Sequence, residues 1–65
     1  MTREVVNRMP ENVRVALENL RKDYKNDALS KDAVRHEADG YTRGLRDAGF
    51  ITERERQILF VYTTV

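Results

Sequence analysis

Apolar side chains recur along this chain at the spacing of one helical face. Val13, Leu17, Leu20 and Tyr24 follow a 4-3-4 rhythm, with Val6 in phase upstream, which places them on a single stripe. Pro10 interrupts the upstream part. A proline fits best at the first helical position, where its missing N–H would be unpaired anyway. The pattern therefore predicts a helix over about 10–25, and Glu18 and Lys22 stand at i,i+4 along it in the favourable order. Residues 1–9 read as a short separate helix or a flexible arm, with Val5, Val6 and Met9 folding back.

A second period begins at Val34 and continues through Ala38, Tyr41, Leu45 and Ala48. Residues 26–29 read as the connector, Ser30 as the N-cap, and Leu29 with Val34 as a hydrophobic staple. On the other face Arg35, Asp39, Arg43 and Asp47 alternate in sign at i,i+4, the pattern of a solvated surface. Gly49 supplies a left-handed C′ residue and Phe50 a C″ residue that can touch Leu45, which together make a Schellman ending. A helix over 31–48 follows.

Thr52-Glu53-Arg54-Glu55 then has the form of a capping box, which starts a third helix over about 53–62. Its apolar residues, Ile58, Leu59, Phe60, Val61 and Tyr62, are rich in β-branched and aromatic types that would also suit a strand. The box and the Glu/Arg-rich first turn favour the helix. The predicted fold is thus all-α: an antiparallel helical hairpin, about 10–25 and 31–48, closed by a short C-terminal helix in a single small helical domain over 1–65.

Composition narrows this further. A chain of 65 residues buries only about 60% of the surface its unfolded form exposes. With no Cys, neither disulfides nor a thiolate zinc site can staple it. Good helices, a partner or self-association must do so. Charged residues make up 35%, but their signs alternate and the apolar positions are periodic, which disordered tails seldom show. No apolar run reaches the roughly 18 residues of a membrane span, and residues 1–4 lack the layout of a secretory signal. A soluble, cytoplasmic, complete short gene product is expected.

The catalytic inventory is thin. Ser30 is the only serine and His36 the only histidine, and there is no thiol. Asp32, His36 and Asp39 share a helical face at ligand-compatible spacing, but common metal sites use more His or Cys. Gly40 to Gly44 lies inside a helical period rather than after a strand, so it is no phosphate loop. The expectation is a non-enzymatic protein without cofactor or metal.

Two features remain unexplained by self-sufficient folding. Gly40 and Gly44 each cost about 1 kcal/mol relative to Ala inside a helix. They share a face with Ala33 and Ala48, beside the apolar stripe. That face is a site of close packing within the chain, a flat groove for a partner backbone, or a hinge. The run Ile58–Tyr62 points in every direction on a helix, so it is either the hub of the core or meets another chain. A homo-oligomer, a dimer in the first instance, or a complex with another protein follows.

The formal net charge is +1, so no global field draws the chain to nucleic acid or membrane. Arg21, Lys22 and Lys25 make the one basic cluster, and Asp23 and Asp27 stand beside it. These three carry the alternative reading, a DNA-binding transcriptional regulator. Residues 51–59, Ile-Thr-Glu-Arg-Glu-Arg-Gln-Ile-Leu, resemble the opening helix of LuxR-type helix-turn-helix domains. The base-reading helix of that family lies further downstream, beyond Val65. The stretch Gly-Tyr-Thr-Arg-Gly-Leu-Arg-Asp-Ala-Gly over 40–49 and the segment after it are similar to short helical products of the early exo–xis region of lambdoid phages and prophages. That resemblance implies a regulatory or accessory protein of a mobile element, acting on a host or phage protein by contact.

Overall fold

Local chain chemistry decides where each helix begins and ends. In the computed structural model, which describes residues 2–26 and 30–65, four helices follow in order: α1 (Thr2–Arg8), α2 (Glu11–Asn26), α3 (Lys31–Asp47) and α4 (Glu53–Thr63). The Pro10 carbonyl accepts from the amides of Val13 and Arg14, both at 3.0 Å, so the proline sits at the entry to α2, where it lacks nothing. Ser30 caps α3 by accepting from the Asp32 amide at 3.1 Å. Of the expected connector over 26–29, Asn26 instead ends α2, and 27–29 lie outside the described residues, as does the expected staple from Leu29.

The Schellman ending of α3 is complete. The Phe50 amide donates to the Leu45 carbonyl and the Gly49 amide to that of Arg46, both at 3.0 Å, with Gly49 at φ 83°. This is the one left-handed glycine among the described residues. The capping box of α4 is also complete: the Glu55 amide donates to Thr52 Oγ1 at 3.1 Å, and the Thr52 amide returns to Glu55 Oε1 at 2.9 Å. No strand occurs among the described residues, so the β-branched C-terminal run is helical. Its strand propensity loses to the cap and to tertiary packing.

Residues near the start of α2 and the end of α3, Val13 and Leu45, meet at one end of the molecule, and Leu20 and Val34 at the other. The two helices therefore run antiparallel, as a hairpin. At the connector end Tyr24 ties them: Lys31 Nζ sits 4.3 Å over its ring and donates to its carbonyl at 2.8 Å, while Arg35 donates to its hydroxyl at 2.9 Å. α4 packs against all three other helices.

One core cluster joins Val5, Val6, Val13, Leu17, Ile51 and Leu59; a smaller one joins Leu20, Val34 and Ala38, with Tyr24, Tyr41 and Phe60 against it. The radius of gyration is 10.9 Å, about the 11 Å of a compact chain of this length. No helix among the described residues is long and apolar enough to cross a membrane.

Candidate functional site

A helical run that is apolar all round must be enclosed, and the run Ile58–Tyr62 of α4 nearly is. Leu59 is fully buried; Ile58 and Tyr62 pack on the larger cluster, and Phe60 on the smaller. Of the five residues singled out in the sequence, Val61 is the one that stays exposed, at 55%. Four of the five thus serve as the hub.

The basic trio separates. Arg21 is half-buried: its guanidinium lies 4.5 Å over the Tyr62 ring and donates to the Tyr62 carbonyl at 2.8 Å. It clamps α2 to the C-terminal turn of α4. Lys22 and Lys25 are exposed. Glu18, expected to pair with Lys22, instead accepts from the Tyr62 hydroxyl.

The charged ladder on α3 also departs from a purely solvated face. Asp39 is half-buried, accepting from Arg43 at 2.9 Å and facing Arg56 of α4 at 3.5 Å. Arg56 and Arg46 both reach Glu53, at 2.8 and 2.6 Å. Hydrogen bonds from Arg56 first, then Arg46 and Gln57, hold the Glu53 carboxyl far below the usual carboxylate range. The Thr52 amide, with Arg8 beside it, lowers that of Glu55. These charges seat the start of α4 against α3.

The side chains of Asp32 and Asp39 are taken by Arg35 and by the Arg43–Arg56 pair. Among the described residues no group of three or more His, Cys, Asp or Glu could hold a metal ion.

Gly40 and Gly44 are both exposed, and a Cβ added at either meets nothing within 4 Å. Among the described residues nothing packs closely on this face. Ala33 and Ala48, on the same face, are exposed too. Gly44 neighbours Tyr41 and Ala48 on the helix surface at i±3 and i+4 spacing.

Tyr41 and Leu45 line a cleft between α2 and α3 of about 520 Å³, together with Met9, Pro10, Val13 and Phe50. Its polar lining residues are Arg8 and Asn12, and Arg8 is paired with Glu55 at 2.6 Å. Partial burial pushes the Tyr41 phenol up from its ordinary value, so it stays neutral. Phe50 stands at the cleft with 67% of its surface exposed. A large aromatic left in water beside an apolar hollow is the feature that sequence reasoning missed. The Schellman spacing predicts Phe50 as a helix-end contact for Leu45, and both line the cleft.

Thr42 and Thr63, fully buried, were likewise not foreseen. Each hydroxyl returns to a carbonyl of its own helix, Thr42 to Ala38 at 2.9 Å and Thr63 to Phe60 at 2.8 Å, which lets a polar residue sit in the core. The spacing of Thr42 four residues after Ala38 was the available signal.

No family model, curated protein or solved structure matches this chain.

Proposed function

We propose that this chain is a small non-enzymatic regulatory or accessory protein that works by protein contact, and that its first partner is a second copy of itself. The observation that carries this reading is Phe50, two-thirds exposed against the cleft of Met9, Val13, Tyr41 and Leu45. Knob and hollow lie on one surface. A two-fold pairing that seats each Phe50 in the other copy's cleft uses the same patch on both sides, as an isologous interface requires.

Charge does not oppose the same occupant. The cleft holds a single charged residue, Arg8, already neutralised by Glu55, and a chain of net charge +1 repels a second copy little. The bare backbone at Gly40 and Gly44 adds an approach surface next to Tyr41 that no side chain among the described residues fills. A mobile-element protein acting on a host or phage protein, as the resemblance of residues 40–49 and the segment after them implies, is served by such a face.

Sedimentation equilibrium from low to high micromolar concentration tests this. The wild type is expected to dimerise and Phe50→Ser to remain monomeric, with its helix content unchanged and its denaturation midpoint equal to that of the wild type below the dimerisation range. A wild type that stays monomeric throughout, or a Phe50→Ser dimer of equal strength, overturns it.

A further inference from the structure

One wall of the cleft is made by the α1–α2 junction: Arg8, Met9 and Pro10. α1 is only seven residues long, too short to persist as an isolated helix, and α4 is the element it packs on. Its hold consists of Val5 and Val6, buried in the cluster with Leu17 and Leu59, and of the Arg8–Glu55 pair, in which Arg8 is 63% exposed. Glu55 has two tasks there. One oxygen completes the capping box with the Thr52 amide, and the other accepts from Arg8. The carboxylate that starts α4 is also the latch for α1.

We infer that α1 is a strap whose docking on α4 is coupled to occupancy of the cleft by the second copy. This rests on the self-association proposed above. When α1 lifts, Arg8, Met9 and Pro10 leave with it or shift, and the cleft loses a wall. A second copy then binds the strapped form and not the lifted one. By linkage, binding holds the strap down, and anything that loosens the strap weakens the dimer.

Amide hydrogen exchange on the full-length chain reads this directly. The amides of Val6 to Met9, the last bonded to the Val6 carbonyl at 3.1 Å, are followed far below the dimer dissociation constant and at about 100 times it. Exchange there is expected to slow about 15-fold, since at that total concentration roughly 7% of the chains remain monomeric and only these can lift the strap. Glu55→Gln keeps the cap, since glutamine serves at that position, but removes the ionic latch. At low concentration it is expected to speed α1 exchange about two- to fivefold, the factor of an exposed ion pair, and to leave α3 unchanged. A dimer whose α1 amides exchange at the monomer's rate overturns the coupling and leaves self-association standing. Unaltered α1 exchange in Glu55→Gln overturns the latch. Absence of any dimer overturns both the coupling and the reading it rests on.

Discussion

The three glycines stand in opposite relation to the fold. Gly49 is required where it is: at φ 83° any side chain crowds the following carbonyl, so Gly49→Ala is expected to cost about 1–2 kcal/mol. Gly40 and Gly44 have helical backbones with open space around them, so alanine at either is expected to stabilise the monomer by about 0.5–1 kcal/mol. Urea denaturation at a concentration below dimerisation checks both signs; a loss of stability in Gly44→Ala would contradict the geometry. The role of Gly49 was legible because a C′ glycine is a local signal. The exposure of Gly40 and Gly44 was not, since spacing within one helix does not say whether another element covers that face. The same limit hid Thr42 and Thr63, whose burial depends on which helices lie opposite.

Among the helices, α4 shows most clearly how local and global signals divide. Its start was readable to the residue, because Thr52 and Glu55 complete a reciprocal cap within four positions. Thr52→Ala is expected to lower stability by about 1 kcal/mol, measured by chemical denaturation. An apolar run of five residues does not name its neighbours, so the sequence alone does not divide core from interface there. The structure resolves this by placing α1, α2 and α3 around it.

Electrostatics at the same helix start set an acid dependence. Glu53 and Glu55 have carboxyls depressed below the ordinary 4.5. Their contribution is therefore fully present above about pH 4.5 and is lost as pH falls towards their folded values. Denaturation midpoints are expected to be flat near neutrality and to drop below that point. Glu53→Gln should flatten the acid limb. An unchanged limb in that variant would show that Glu53 is not its source.

For the molecule as a whole, the absence of cysteine left open how 65 residues hold together. The answer is a main core cluster around Leu17 and Leu59, both fully buried, with a smaller cluster beside it and Tyr41 packed against both. Leu59→Ala is expected to cost about 2–5 kcal/mol. At roughly 0.05–0.15 kcal/mol per residue such a chain has a total of only about 3–10, so circular dichroism should show a largely unfolded variant at the low end. With the core closed, the exposed apolar surface that calls for explanation shifts from the C-terminal run to Phe50 and the cleft beside it. Val15, Val61 and Val65 are exposed as well, and single exposed valines are normal on any surface.

The central claim is that the α3 face and its cleft serve a second copy rather than the fold itself. Sedimentation equilibrium on Gly40→Gln/Gly44→Gln, paired with its urea denaturation curve, tests that claim most directly. Expected is a variant at least as stable as the wild type below the dimerisation range but no longer dimeric, since a Cβ at either position meets none of the described residues within 4 Å while the added bulk on an exposed face obstructs a neighbour. A variant that dimerises as the wild type does, or one that unfolds, would contradict it.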